Sequence, residues 1–138
     1  MLRFKQLSRV VALGVTLALA GAIGSLGTTA WAKTIKIGNT NPYSGPASAY
    51  GVIGRGLDAY FKMINDQGGI NGNMIEFISY DDGYSPPKTV EMARKLVEQD
   101  QVLFLFQTLG TPSNTAIHKY MNMRKVPQLH VATGATKW

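Results

Sequence analysis

The chain of 138 residues contains no cysteine. That excludes disulfide frameworks, thiolate metal sites, cysteine nucleophiles and a lipid-modified N-terminal cysteine. Acidic residues are scarce: eight Asp and Glu stand against fourteen Lys and Arg, for a net charge of +6. Three of the cations, Arg3, Lys5 and Arg9, fall in the first nine residues. From residue 33 onward the balance is 11 basic to 8 acidic, too mild and too scattered for a nucleic-acid surface. Only 16% of residues are charged and 45% are apolar, which excludes both a disordered polar chain and a membrane bundle. The two histidines, His118 and His130, have no carboxylate close in sequence and form no H-x-x-x-H pair. Both read as structural or surface residues rather than bases or ligands. No G-x-x-x-x-G-K-[ST] loop and no G-x-S-x-G elbow is present, and no G-x-G-x-x-G follows the first strand pattern. Gly54-Arg55-Gly56 lies inside a helical pattern and reads as close packing. These omissions favour binding over catalysis and imply neither cofactor nor metal.

What is present begins with an export signal. Residues 1–9, MLRFKQLSR, are basic, and an apolar run follows from Val10 to about Leu26. Ala30-Trp31-Ala32 is an A-x-A cleavage pattern, so the cut is expected between Ala32 and Lys33. The run is short for a membrane span and is interrupted by Gly14, Gly21, Gly24 and Thr16. An exported chain without cysteine is expected in a bacterial periplasm, soluble and unlipidated.

Residues 33–138 alternate two periodicities. Thr34–Thr40 alternates apolar and polar residues, with Ile35 and Ile37 on one face, and predicts a strand. From about Tyr50 to Gln67 the period is helical, with Ile53, Leu57, Tyr60, Phe61 and Ile64 in one stripe. Gly68-Gly69 ends that helix. Met74–Tyr80 predicts a second strand, with Ile75 and Phe77 opposite Ile78 and Tyr80. Ser85 before Pro86 suits a helix N-cap, and Lys88–Asp100 has an apolar face of Val90, Ala93, Leu96 and Val97. Val102–Phe106 is apolar throughout and predicts a central strand buried on both faces. Thr111-Pro112 caps an expected helix from Ser113 to Lys125, with Ile117, Tyr120 and Met121 inward. Gln128–Val131 predicts a fourth strand. This βαβαβαβ order implies an α/β fold, a parallel sheet with helices on both faces. Ligands of such sheets bind at the carboxyl ends of the strands, so loops 41–50, 81–87, 107–113 and 132–138 are the candidate site.

Asp81-Asp82 is the one acidic pair: two carboxylates at a strand end can bind a divalent cation or serve as acid and base, but aspartates in such a turn most often orient the loop and its amides. In the loop after the third strand, Gly110 lets backbone approach a ligand. The amides of Gly110 and Thr111 and the Thr111 hydroxyl can converge on a carboxylate at the helix N-terminus, although an ordinary threonine cap explains the same residues. Residues 132–136 bring two hydroxyls, a glycine and small side chains to the next strand end. Two neighbouring loops of this kind suit a small zwitterion better than a phosphate or a macromolecule.

Four segments together carry a family resemblance: IKIGNTNPYSGPASAYG (35–51), INDQGGINGN (64–73), ISYDDGYSP (78–86) and KVPQLHVATGATKW (125–138). With them, nearly all of 34–138 resembles the N-terminal lobe of periplasmic solute-binding proteins of ABC importers, in the branched-chain amino-acid (Leu/Ile/Val) receptor group. The resemblance implies one incomplete lobe, 33–138, of a type I periplasmic binding protein. Such a receptor has two lobes that close on an amino acid-like ligand and then dock on an ABC permease in the inner membrane. A monomer is expected. Carried over by position, Gly110 and Thr111 form the carboxylate-binding loop. Ala132 offers a carbonyl to the ammonium, with Thr133 and Gly134 beside it. Tyr50 lies at the cleft rim, in the S-G-x-x-x-x-Y-G segment that Ser44 opens. Leu109-Gly110-Thr111-Pro112 replaces a loop that is serine-rich in relatives, and Pro112 removes one backbone donor.

Two other functions share these features. A sensory ligand-binding domain tethered by residues 10–26 has the same lobe. A periplasmic hydrolase of esterase-like fold needs Ser44 as nucleophile, but no paired base is visible.

Overall fold

A computed structural model of the protein describes residues 33–138. The export signal expected over residues 1–32 lies outside the described residues. Four parallel strands form one sheet in the order β2-β1-β3-β4: β1 is Thr34–Asn41, β2 Met74–Asp81, β3 Phe104–Phe106 and β4 Gln128–Leu129. A 3₁₀ turn, Ser48–Gly51, leads into helix α1, Val52–Asp66. Helix α2, Pro86–Arg94, continues as a π-helical turn, Lys95–Gln99, and α3 is Thr111–Arg124. Strand β1 pairs with β2 in register from Thr34 opposite Met74 to Asn41 opposite Asp81. It also pairs with β3 through Ile37 and Gly38.

The alternation read from the sequence places two apolar layers on opposite faces of the sheet. Ile37, Phe61 and Ile75 are buried together under α1, joined by Ile35, Leu57, Ile64, Phe77, Phe104 and Phe106. On the other face Ala93, Leu96, Val102, Leu105, Ile117 and Met121 bury against α2 and α3, with Ile78, Tyr80 and Val90 packed on them. A Cβ at Gly38 would stand 2.7 Å from Leu105 Cδ2, so only glycine lets that layer close onto β1.

Several expectations change. Val102–Phe106 is not a strand buried on both faces. Only residues 104–106 join the ladder, Phe104 and Phe106 are half-buried, and Leu103 is 63% exposed. The most buried strand is instead β1, whose residues Ile37–Asn41 are all buried. Strand β4 stops two residues early. Gln107 and His130, which follow β3 and β4, both adopt left-handed backbone, with φ of 49° and 51°, and turn the two strand ends together. Pairing resumes beyond the kink as a parallel bridge between Leu109 and Ala132. The kink is held from β1: Asn39 Nδ2 donates to the carbonyls of Phe106 (2.7 Å) and Gln107 (3.1 Å). In α1, Tyr60 turns out of the apolar stripe and is 53% exposed. Gly54 is the close-packing glycine, with the Tyr43 ring seated on it, whereas Gly56 faces open space.

Candidate functional site

At the carboxyl ends of the strands, four stretches of chain border a cleft of about 340 Å³. Its floor is made of Leu109, Gly110 and Thr111 after β3 and Ala132, Thr133 and Gly134 after β4. Tyr50 and Ile53 rise on one side and Tyr84, from the loop after β2, on another. None of these residues is charged. The structure thus brings six of the seven expected residues to one cleft. The seventh, Ser44, is engaged elsewhere: its hydroxyl donates to Asp81 Oδ2 at 2.5 Å.

The floor is tied together by backbone. The Gly110 amide, expected to be free for a ligand, donates to the Ala132 carbonyl at 2.9 Å, and the Ala132 amide donates to the Thr108 carbonyl at 3.0 Å. The Thr111 amide, the first of α3, faces no protein acceptor among the described residues, and neither do the amides of Thr133 and Gly134. Nor does the Thr111 hydroxyl cap α3. The helix starts at Thr111, two residues earlier than expected, with Gly110 as its N-cap, and Thr111 Oγ1 pairs across the floor with Thr133 Oγ1 at 2.6 Å. The floor therefore offers the Thr111 amide at a helix N-terminus, the amides of Thr133 and Gly134, a hydroxyl pair and the second lone pair of the Ala132 carbonyl. That set can accept a small group bearing both signs of charge.

Asn114, in the first turn of α3, fixes this floor. It is fully buried. Its Nδ2 donates to the carbonyls of Thr108 (3.0 Å) and Gly110 (2.8 Å). Its Oδ1 accepts from the Thr108 hydroxyl at 2.5 Å and from Gln128 Nε2 at 3.0 Å. All four hydrogen-bonding capacities of the amide are used.

The rim on the β1 and β2 side is built from Asp81 and Asp82. Asp81 Oδ1 accepts the amides of Tyr43 (2.9 Å), Ser44 (3.1 Å) and Gly83 (3.0 Å). Lys88 reaches Oδ2 at 3.2 Å. Burial acts to raise the Asp81 pKa, but the Ser44 hydroxyl, the Gly83 and Ser44 amides and Lys88 outweigh it and hold the carboxyl well below the usual carboxylate range. Asp82 is fully buried. Burial pushes its pKa up against the opposing pull of the Tyr84 amide and the Thr89 hydroxyl. Its Oδ2 accepts from Thr89 Oγ1 at 2.9 Å, and Thr89 in turn meets Ser113 Oγ of α3 at 2.9 Å. Both aspartates orient loops, as their place in the turn suggested. The residues missed by sequence reasoning are Tyr84, Leu109, Ile53 and Asn114. Tyr84 and Leu109 lay within loops already marked, while nothing in the pattern distinguishes Asn114 from a solvent-facing helical residue.

Residues 34–138 match a family model described as periplasmic binding protein. The chain belongs to that family. A curated relative of this periplasmic binding protein, the leucine-, isoleucine-, valine-, threonine- and alanine-binding protein of Pseudomonas aeruginosa, is 40% identical over 75 residues, covering 54% of this chain and 20% of the relative. Among solved structures, a possible leucine/isoleucine/valine-binding protein from Rhodopirellula baltica superposes with a TM-score of 0.71 at 28% identity, over 76% of this chain and 29% of that one. A branched-chain amino acid transporter substrate-binding protein from Streptococcus pneumoniae, solved with isoleucine, gives 0.67 at 27% identity, over 76% and 30%. The fold is that of type I periplasmic binding proteins, of which part is present. The match spans about a fifth of the length of the curated relatives.

Proposed function

We propose that this periplasmic binding protein is the N-terminal, carboxylate- and ammonium-holding lobe of an exported receptor that hands a small amino acid, branched-chain or related, to an ABC permease. The observation that carries the reading is the uncharged floor made by residues 109–111 and 132–134. An ion with one net charge is poorly matched by a cleft with no counter-charge. A zwitterion is matched by the Thr111 amide and hydroxyl for its carboxylate and the Ala132 carbonyl for its ammonium. The relatives are binding proteins for such amino acids, and substrate-binding proteins rather than enzymes make up the family.

The described residues form one wall of the cleft, so burial of a ligand is one-sided and binding by this chain is expected to be weak. Calorimetry with L-leucine should detect no micromolar binding, while an NMR titration with L-leucine should shift the Thr111 and Thr133 amides. Micromolar affinity contradicts the one-wall argument, and unmoved amides contradict the receptor reading. Residues 1–32 act as the leader in this proposal. N-terminal sequencing of the exported protein should begin at Lys33, and an intact N-terminus indicates a membrane-tethered form instead.

A further inference from the structure

We infer that Tyr84 is a ligand-contacting, specificity-determining residue whose phenol adds a side-chain donor to the carboxylate end of the cleft. The inference rests on the amino-acid receptor reading above and extends it to a residue which that reading does not use.

Four observations converge on this side chain. Tyr84 lines the cleft and remains 36% exposed although large and aromatic. Its backbone is left-handed, with φ of 60°, a conformation that a bulky residue adopts at a cost and that tends to persist where function requires it. That conformation is clamped: the Tyr84 amide donates to Asp82 Oδ1 at 2.9 Å, and Asp82 is itself fixed by Thr89. The ring it delivers lies on Gly110, where a Cβ would stand 2.6 Å from Tyr84 Cε2 and 3.2 Å from Cζ. Gly110 also has a φ of 103°. The glycine is therefore required twice, once by its own backbone and once by the ring that occupies its side-chain space.

Cζ carries the hydroxyl, so this packing brings the phenol to the Gly110–Thr111 turn, where the Thr111 amide is open. Among the described residues the phenol has no hydrogen-bond partner. A tyrosine packed only for shape has no need to keep its polar end in the cleft, whereas one that donates to a carboxylate does. The ring also closes the space above Gly110 and so limits that end of the cleft to a group the size of a main-chain carboxylate.

The test is an NMR titration of the full chain, labelled with ¹⁵N and with ¹³C-tyrosine, using L-leucine as probe and Tyr84→Phe as the variant. Phenylalanine keeps the ring on Gly110, so the variant's amide spectrum should otherwise overlay the parent's. Leucine is expected to move the Thr111 and Thr133 amides in both chains and the Tyr84 ring signal in the parent. Its affinity should fall about tenfold in the variant, the worth of one hydrogen bond to a charged group. Isopentylamine, which is leucine without its carboxylate, should distinguish the two chains by no more than error. If leucine moves both amides but leaves the Tyr84 ring signal and the variant's affinity unchanged, or if isopentylamine loses as much as leucine, the Tyr84 assignment is overturned and the receptor reading stands. If leucine moves neither amide in the parent, both fall.

Discussion

The two pairs of strand ends bordering the cleft use opposite chemistry. Beyond β1 and β2 the chain is held by carboxylates. Asp81 accepts three amides and a hydroxyl and meets Lys88, and Asp82 ties its own loop to α2. Beyond β3 and β4 the cleft-lining residues 109–111 and 132–134 carry no charge, and the loops are joined amide to carbonyl and braced by the neutral Asn114. A carboxylate whose oxygens are already engaged by the protein is a scaffold. Loops of neutral residues leave hydroxyls and backbone amides that no protein carboxylate has claimed. The contrast separates the part of the rim that sets geometry from the part that can meet a ligand.

The sharpest way to break this contrast is to remove the neutral brace. Asn114→Ala leaves the buried Thr108 hydroxyl without its acceptor and the carbonyls of Thr108 and Gly110 with only their backbone donors. Urea unfolding should show a loss of about 3 kcal/mol, because unsatisfied buried groups carry their full desolvation cost. A loss under about 1 kcal/mol shows that the floor holds itself through backbone alone.

Of this arrangement, the sheet and its helices were readable from the sequence because burial follows periodicity. Ile35, Ile37, Ile75 and Phe77 share a face as their spacing requires, and β1 and β2 end within one residue of the expected place. The cleft loops were readable for a related reason: parallel strands put their carboxyl ends on one side. The kinks that follow β3 and β4, and with them the early end of β4, were not. They depend on left-handed backbone at Gln107 and His130, residue types that carry no turn signal, held there by Asn39 and by each other's strand. The engaged Gly110 amide was equally hidden, since it depends on a bridge to Ala132, twenty-two residues away in sequence. Local pattern reports which way a residue faces, but it does not report which distant carbonyl an amide meets.

A second, smaller effect distinguishes the two adjacent carboxylates by sign. The Asp81 pKa is depressed from 3.8 on folding, so its stabilisation is present above that value and is lost as pH falls below it. The Asp82 pKa is raised above 3.8, so its contribution is full below that value and is lost as pH rises through the folded pKa. Stability should therefore rise as pH is lowered from neutral toward 4, and fall below it. Asp82→Asn should flatten the first limb and Asp81→Asn the second, with Asp81→Asn costing on the order of 1 kcal/mol at neutral pH. Thermal melts of both variants across pH 2–8 provide the measurement. If one variant flattens both limbs, the two carboxylates titrate as a unit and the division of labour between them is wrong.

The smallest effect belongs to the one cation in the rim. Lys88 meets Asp81 at 3.2 Å, with 42% and 31% of the two side chains exposed. Solvent weakens such a pair, and the four hydrogen bonds that Asp81 receives from the Tyr43, Ser44 and Gly83 amides and the Ser44 hydroxyl do not depend on it. Lys88→Ala should therefore cost no more than about 0.5 kcal/mol, and added salt should narrow even that difference. A larger, salt-sensitive loss in urea melts would show that the β1–β2 rim is held by ion pairing rather than by its ring of donors. The carboxylate side of the cleft would then respond to ionic strength in a way the neutral side does not.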